Sequence, residues 1–472
     1  MKTSKPDFLQ LDPGAAEPLY RQIYTRFRGA IADGLLQPGA RIPAARALAL
    51  ELGLARGTVE SAYALLTAEG YVETRGQAGT IVTPALLRHA ALAPAAPARD
   101  PVRALPGSPT AASRPFQMGL PALDAFPRKV WARLAARSVR ATQPDDMAYP
   151  PYAGVPALRT AIATYLQLSR GIDCAPSQVF VTSGYRNTME LVTRALLRPG
   201  DDVWVEDPGY PPTGALLTEA GMRIVPVPVD ADGLQVAHGI AAAPAARAAV
   251  VTPAHQSPLC VSLSLPRRLA LLDWAAQAGA WIVEDDYDGE YRYVSRPLPA
   301  LQSLDREGRV LYAGTFSKVL MPAARLAYLV VPPAQVERFE RITQTFAAGG
   351  PTLMQNIVAD FMNEGHFARH IQRMRRLYAE RRQIAADGLA EVLGKHFQID
   401  PQPGGMHMVL RMQGHHTDRP LVARMHREGM GAHALSAFTL LPPAASGLLV
   451  SFTNIDTPQR ARELGRRIVH LL

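Results

Sequence analysis

Two short apolar runs near the middle of the chain each lead into side chains that could do chemistry together. The run that starts at Trp281 leads into a cluster of carboxylates that includes Asp285, and the run that starts at Val310 leads to Lys318. Both runs are too short for a helix and are bounded by turn residues, which is typical of buried strands. Ligands of open α/β sheets bind beyond the carboxyl ends of the strands. The sequence therefore predicts that a carboxylate and a lysine face one ligand.

An acid and a lysine placed in this way suit pyridoxal phosphate. Lys318 can form a Schiff base with the aldehyde of that cofactor, and a buried Asp285 can keep the pyridine nitrogen protonated, so that the ring acts as an electron sink. Ser317 and Arg325 can supply a hydroxyl donor and a charged fork for the phosphate. Either group alone would more often be a solvated loop acid or a surface lysine, and only the combination favours the cofactor.

The composition indicates a protein of several domains in a reducing compartment. A chain of 472 residues exceeds one ordinary core. Its two cysteines, Cys174 and Cys260, give no disulfide framework. No apolar run approaches the roughly 18 residues of a membrane span, and the first residues do not resemble a signal peptide. We expect a cytoplasmic protein without a membrane partner.

The first 83 residues predict a winged helix-turn-helix. Helical periodicity and glycine stops indicate three helices, and a strand, a glycine-rich tip and a second strand follow them as a wing. The helices are expected at 19–31, 44–52 and 57–69, and the wing at 71–82. The net charge of +9 does not support this interpretation by itself, since residues 1–83 carry nine basic and eight acidic side chains.

The segments PLYRQIY, PGARIP, EGY and GTIV of this region resemble the winged helix-turn-helix domain of the GntR family. The resemblance implies binding to double-stranded operator DNA. The implied DNA contacts are Arg46, Arg56, Thr58, Gly76 and Gln77. Alanines stand at positions 44, 45 and 55, where the family usually carries polar residues, and this predicts fewer phosphate contacts. The alternative is that both arginines only solvate a helical bundle.

Residues 84–114 are rich in alanine and proline, which is typical of a semi-rigid linker. In residues 115–472, strand and helix signals alternate. This alternation predicts an α/β domain with a mostly parallel sheet, followed by a smaller α+β lobe formed by the last hundred residues.

Residues 115–472 resemble the fold type I aminotransferase family through the motifs at Asp285-x-Tyr287 and Thr315-x-Ser317-Lys318 and the arginine that follows. The resemblance implies that Lys318 is the Schiff-base lysine, that Asp285 pairs with the pyridine nitrogen and that Tyr287 contacts the ring hydroxyl. Further implied cofactor contacts are Ser183, Gly184, Tyr185, Tyr210, His255 or Gln256, Thr315, Ser317, Arg325 and, across a dimer interface, Tyr149.

The segments EDDYDGEYRY and GTFSK resemble, more narrowly, the aminotransferase-like half of MocR-type transcription regulators. This resemblance implies a homodimer in which pyridoxal phosphate couples a small-molecule effector to DNA binding. One departure bears on the effector, because Leu449 stands where aminotransferases hold the substrate carboxylate with an arginine. Leucine cannot pair with a carboxylate. Arg186 or Arg292 could substitute for the missing arginine.

Two functions therefore stay open. The first is a regulator that senses a small amine or pyridoxal phosphate itself. The second is an active class I/II-type aminotransferase with an appended DNA-binding domain.

Overall fold

The computed structural model describes residues 8–76, 79–84, 114–293, 299–346, 349–399, 404–414, 417–442 and 445–472. The chain divides into two compact units, Met1–Pro109 and Thr110–Leu472, and each is described by itself. Of the predicted linker 84–114, only the two end residues belong to the described part. No helix in the described ranges is long and apolar enough to cross a membrane.

The first unit has the predicted winged-helix architecture. Its elements are α1 (Leu19–Ala32), α2 (Ala45–Leu52), α3 (Arg56–Ala68), β1 (Val72–Thr74) and β2 (Thr80–Val82). Gly53 ends α2 in the left-handed conformation, with φ of 68°. The two strands pair antiparallel as the wing, with Glu73 opposite Ile81. Phe27 is fully buried at the centre of the helices and meets the rings of Phe8 and Tyr63 edge-on.

The second unit is built on a sheet of eight strands in the described part of the chain. These are β3 (Val179–Thr182), β4 (Asp202–Asp207), β5 (Arg223–Asp230), β6 (Gly233–Leu234), β7 (Ala248–Val251), β8 (Trp281–Asp286), β9 (Val310–Thr315) and β10 (Ala327–Val330). Their order is β3-β10-β9-β8-β7-β4-β5-β6. The five central strands from β9 to β5 are parallel to their neighbours, which confirms the predicted mostly parallel sheet.

Strand β10 was not predicted, and it runs antiparallel to both β9 and β3. An apolar run follows Arg325 directly and contains β10. The sequence there has no turn signal that would predict the antiparallel direction of this strand. The strand at Trp281 is also longer than expected. It reaches Asp286, so the first three carboxylates of the acidic cluster lie on the strand itself rather than in the loop after it.

Helices of the second unit surround this sheet. They are α4 (Arg128–Ala141), α5 (Pro156–Arg170), α6 (Tyr185–Leu196), α7 (Pro211–Glu219), α8 (Val236–Ala242), α9 (Leu265–Ala278), α10 (Val336–Phe346) and α11 (Thr352–Asn363). Buried Val, Leu and Ala side chains of the parallel strands form the core, as expected for a sheet that is covered on both faces.

The carboxyl-terminal lobe is the predicted α+β unit. Its elements are α12 (His366–Leu393), β11 (Phe397–Ile399), β12 (His407–Met412), α13 (Asp418–Arg427), β13 (His433–Ala434), β14 (Gly447–Ser451) and α14 (Pro458–Leu471). The four strands form an antiparallel sheet in the order β11-β12-β14-β13. The apolar faces of α12 and α14 share one core with this sheet.

Helix α12 packs against α14 at Gly388, where an added Cβ would lie 2.5 Å from the Cβ of Ala461. We expect Gly388→Ala to destabilise the second unit by about 1–3 kcal/mol, because the two helices must move apart. Gly29→Ala is the matched control, since Gly29 also lies inside a helix but an added Cβ meets nothing within 4 Å. That substitution should stabilise the first unit by about 0.5–1 kcal/mol. Denaturant unfolding of the full chain measures the change in unfolding free energy for both substitutions. Equal changes for Gly388→Ala and Gly29→Ala would contradict the close packing of α12 against α14.

Candidate functional site

Asp285 and Lys318 follow neighbouring parallel strands, as the sequence predicts. Asp285 lies on β8 opposite Ala313 of β9, and Lys318 lies in the turn that follows β9. Asp285 is buried and Lys318 is half-buried, and the Lys318 Nζ donates a hydrogen bond of 3.0 Å to the carbonyl oxygen of Gly119. The carboxylate and the amine are close enough to influence each other's ionisation.

Burial shifts the ionisation of both groups towards their neutral forms. Burial, followed by the charges of Asp286 and Glu206, raises the pKa of Asp285 to about 8, while Lys318 opposes that rise. Burial lowers the pKa of the Lys318 amine, and the charges of Asp288 and Asp285 offset part of this effect. A buried acid of this kind ionises readily only when a cation is placed beside it, and a neutral amine is a nucleophile.

The junction between β3 and α6 lies beside the Arg325 guanidinium. Gly184 precedes α6 with φ of 122°, and an added Cβ there would lie 3.9 Å from the Arg325 guanidinium carbon. The Gly184 backbone and Arg325 therefore border the same space. The first N–H groups of a helix have no intrahelical partner and carry the positive end of its dipole. The Ser183 N–H and hydroxyl both donate to Asn187 Oδ1, at 3.2 and 3.3 Å.

Thr315 is the last residue of β9, and Ser317 lies in the turn directly before the lysine. The Ser317 N–H donates to the Thr315 hydroxyl oxygen at 3.1 Å. This bond tightens the turn that carries the Lys318 side chain. Arg325 has a left-handed backbone with φ of 50°, an uncommon conformation for a residue other than glycine.

Two tyrosines wall a cavity of about 260 Å³ that also reaches Asp285 and Glu206. The rings of Tyr185 and Tyr210 meet edge-on with centroids 5.9 Å apart. The Tyr185 hydroxyl is 2.6 Å from the Thr213 hydroxyl. Tyr210 is 44% exposed and lines this cavity.

His255 and Gln256, the two alternatives for one ring contact, have different surroundings. The His255 Nδ1 lies 3.1 Å from the Tyr287 hydroxyl and 2.9 Å from Asp288 Oδ1. The Gln256 amide nitrogen donates to Glu206 Oε2 and to the Pro208 carbonyl, and its oxygen accepts from the Leu259 N–H. The Gln256 amide is thus already hydrogen-bonded to other parts of the protein. Of the two alternatives, His255 is the one that lies beside Tyr287.

Asp288 was not predicted as a site residue. It is buried, orients the His255 ring and contributes to the field at Lys318. Its place in the Asp-Tyr-Asp motif, one residue after Tyr287, was the signal that could have found it.

Tyr149 is the predicted contact that a single chain leaves apart from the others. Its side chain is 95% exposed. The prediction that it reaches the cofactor phosphate of a second subunit stays a prediction.

Leu449 is fully buried on β14 in an apolar cluster with Cys260, Val409 and Leu435. The two arginines that could substitute for the missing one, Arg186 and Arg292, lie outside that cluster. Arg186 is exposed in the first turn of α6, and Arg292 Nη1 donates to the Ser262 hydroxyl at 3.2 Å.

Four of the five predicted DNA contacts belong to the described residues of the first unit. Arg46 is exposed on α2, and Arg56, the first residue of α3, forms an exposed ion pair of 2.7 Å with Glu60. Thr58 is half-buried in the first turn of α3, and Gly76 has φ of 43° at the wing. Gln77 lies outside the described residues. The residues that precede α2 and α3 are alanines and give no side-chain cap.

The raised pKa of Asp285 predicts a pH dependence of stability in the protein without added cofactor. The folded protein keeps a proton that the unfolded chain releases above about pH 4, so this contribution to stability is lost as the pH rises through about 8. We expect Asp285→Asn to exceed the parent in stability by about 1–3 kcal/mol at pH 9, with a smaller difference at pH 5. Urea unfolding at both pH values measures this. Asp273→Asn, an exposed change on α9, should give no such trend, and a constant difference for Asp285→Asn would contradict the assignment.

Comparisons with known proteins agree with both units. Residues 120–449 match the family described as aminotransferase class I and II, and residues 19–82 match the gntR family of bacterial regulatory proteins. The fold and site thus define a winged-helix DNA-binding domain joined to a domain with the fold of pyridoxal phosphate-dependent aminotransferases. The chain belongs to the MocR-type transcription regulators of the GntR family.

Similar proteins span nearly the whole chain. The probable rhizopine catabolism regulatory protein MocR of Rhizobium meliloti is 38% identical over 96% of this chain and 94% of its own length. The pyridoxine biosynthesis transcriptional regulator PdxR of Corynebacterium glutamicum is 32% identical, with 95% of each chain covered. Among solved structures, the α-aminoadipate aminotransferase LysN of Thermus thermophilus has a TM-score of 0.68 and 27% identity, over 76% of this chain and 91% of its own.

Proposed function

We propose that this transcription regulator is a homodimer that binds operator DNA through its winged helices and pyridoxal phosphate in its aminotransferase-like domain. The ligand state of that domain, set by a small amine or by pyridoxal phosphate itself, changes the affinity for DNA. The observation that carries the proposal is the buried Asp285 near the half-buried Lys318, in a chain that has Leu449 at the position where aminotransferases bind the carboxylate.

The residues present fit the cofactor. The Lys318 amine would hold its aldehyde carbon, Asp285 would ionise beside its ring nitrogen, and Tyr287 with His255 would hold its ring hydroxyl. The bound cofactor supplies an electron sink to any amine attached to it. The phosphate would be held by Arg325, Ser317 and the amino end of α6, where Gly184 leaves room beside the guanidinium.

The ligand pocket disfavours an α-carboxylate. Leu449 lies in a buried apolar cluster with Val409 and Leu435, and burying a carboxylate beside it without a cation would be costly. An amine that lacks this group avoids the cost. Pyridoxal phosphate itself is the other ligand we propose, and PdxR, a relative of similar length, is named for the regulation of pyridoxine biosynthesis.

Homodimer formation gives the regulator two winged helices. An isologous dimer presents the same surface of each subunit to two half-sites, so a symmetric operator is expected. Ligand binding can change DNA affinity only if one arrangement of the dimer binds the ligand better than another.

Transamination is the second candidate function. It is favoured by the presence of all four motif residues, Asp285, Tyr287, Lys318 and Arg325. The chain is also similar to a 2-aminoadipate transaminase of Thermus thermophilus, which is 28% identical over 76% of this chain and 90% of that protein. Leu449 counts against it.

An absorbance titration distinguishes the two functions. Protein loaded with pyridoxal phosphate is titrated with a panel of amino acids and of amines without a carboxylate, and keto acid is assayed in parallel. We expect reversible spectral shifts with some amines and no keto acid. Progressive loss of the visible band with release of a keto acid would identify an aminotransferase instead.

A further inference from the structure

Cys260 and His407 form a buried pair that the proposed function does not use. The Cys260 sulfur lies 3.3 Å from His407 Nε2, and the same nitrogen lies 3.1 Å from the Pro258 carbonyl oxygen. Both residues are almost fully buried, with Cys260 only 3% exposed. The two residues come from a loop after β7 and from β12, so the fold brings them together across 147 positions of sequence.

The backbone fixes the sulfur in this place. Cys260 has φ of 62°, in the left-handed region that favours glycine. Its N–H donates to the Gln256 carbonyl oxygen at 2.7 Å, which closes the turn. A strained residue other than glycine beside a ligand site is a feature from which a function can be inferred.

A second imidazole, that of His255, lies beside His407, with the two ring centroids 5.7 Å apart. The His255 ring is 8% exposed, and its Nδ1 is held by Asp288 at 2.9 Å. Its other nitrogen, Nε2, is buried and has no hydrogen-bond partner among the described residues, and neither has Asp288 Oδ2. The charge of a protonated His255 lowers the pKa of the Cys260 thiol, after the larger effect of His407. We call Cys260, His407, His255 and Asp288 the thiol cluster.

The pKa values of the two cysteine thiols are shifted in opposite directions. Burial opposes ionisation of the Cys260 thiol, but the charges of His407 and His255 outweigh it and lower the pKa to about 6. Burial, with the charge of Asp173, raises the pKa of Cys174 to about 11. Asp288 adds a negative charge near the histidines, and Tyr287 also faces the cluster. Within the described ranges, no group of His, Cys, Asp and Glu side chains has the arrangement of a metal site.

We propose that Cys260 is a site of reversible oxidation by small hydroperoxides. The thiolate attacks one peroxide oxygen, so that an S–O bond forms as the O–O bond breaks and two electrons pass from sulfur to peroxide. The departing hydroxide, or alkoxide, takes a proton from the His407 imidazolium and leaves as water or an alcohol. Two molecules of an added low-molecular-weight thiol then restore Cys260. The first condenses with the sulfenic acid to a mixed disulfide and releases water, and the second displaces the Cys260 thiol and forms the disulfide of the added thiol.

The position of Cys260 gives the oxidation a consequence for the ligand pocket. The added oxygen would enter the apolar cluster of Leu449, Val409 and Leu435, and it would meet the His255 ring beside Tyr287. Oxidation would therefore alter the surroundings of His255 and Tyr287, which we assign to the cofactor site.

The two cysteines of the chain allow an internal comparison. At pH 7 the thiolate fraction of Cys260 exceeds that of Cys174 by about 10⁴. The weaker nucleophilicity of a low-pKa thiolate reduces this advantage by about 10², leaving roughly 100-fold before the difference in burial is counted. We expect Cys260 to react at least about tenfold faster than Cys174, since the remaining advantage leaves about tenfold for the deeper burial of Cys260.

The experiment treats the reduced full-length protein with hydrogen peroxide and dimedone and quantifies both cysteine peptides by mass spectrometry between pH 5 and 9. We expect Cys260 to be labelled first, with a midpoint near pH 6. Incubation with dithiothreitol after the peroxide and before the dimedone should remove the label from Cys260. In Cys174→Ser the Cys260 rate should not change, and in His407→Asn the Cys260 midpoint should rise.

Two results would overturn the proposal. One is labelling of Cys174 as fast as Cys260 in the parent protein. The other is labelling of Cys260 only after unfolding in urea. If His407→Asn fails to fold, the relative labelling rates of Cys260 and Cys174 in the parent protein still test the proposal. This comparison requires neither the proposed ligand nor DNA.

Discussion

Replacing Lys318 with alanine is expected to abolish the visible absorption band that pyridoxal phosphate gives when it is bound through a protein amine. Without the covalent link, we expect cofactor affinity to fall by on the order of 100-fold, which corresponds to about 2.7 kcal/mol. The contacts of Asp285, Tyr287 and Arg325 would remain, so some non-covalent binding should persist. Absorbance spectra and equilibrium dialysis of parent and variant measure the two effects.

Two controls separate loss of the amine from loss of the fold. Lys318→Arg keeps a positive charge near Asp285 but cannot form the link, so it should also lose the band. Lys129→Ala removes an exposed lysine on α4 and should leave spectrum and affinity unchanged. A Lys318→Ala protein with the parental band would show that the cofactor is attached elsewhere, or not through an amine at all.

Replacing Arg56 with alanine is expected to weaken operator binding by about 1–3 kcal/mol per half-site, or 5-fold to 150-fold. Arg56 begins α3, the second helix of the helix-turn-helix, where residues contact base edges or phosphates. Its ion pair with Glu60 is exposed, at 67% and 48%, and such pairs contribute little. DNA can therefore take the guanidinium from Glu60 at small cost.

Arg194 offers a matched control for this change. It also forms an exposed i,i+4 ion pair, with Glu190 at 2.9 Å, but on a helix of the second unit. Arg194→Ala removes the same charge and should leave DNA affinity within about twofold at fixed salt. Fluorescence anisotropy with a duplex selected from random-sequence DNA by the parent protein compares the variants. Equal affinities of Arg56→Ala and parent would exclude α3 as the recognition helix.

Local sequence signals were sufficient for the elements that carry the site. Alternation of apolar strands and helices fixes the parallel order, and parallel neighbours bring Asp285 and Lys318 to one edge of the sheet. Glycine stops and helical periodicity were likewise sufficient for α1, α2 and α3. These features depend on residues close in sequence.

Long-range contacts could not be predicted in the same way. The reversed strand β10 is decided by pairing with β3, almost 150 residues earlier. The engagement of Gln256 by Glu206 and the pairing of Cys260 with His407 depend on how separate loops pack. No local periodicity encodes such contacts, and burial then sets the pKa of Asp285 and of Cys260.

The central claim is that the ligand state of the aminotransferase-like domain controls DNA binding, and one measurement tests it most directly. Affinity for the selected duplex is measured by anisotropy without cofactor, with saturating pyridoxal phosphate, and with pyridoxal phosphate plus each amine that shifts the absorption spectrum. We predict a change of about 5-fold to 150-fold between at least two of these states, and its loss in Lys318→Ala. The same DNA affinity in every state, with the spectrum showing the site to be saturated, would contradict the claim.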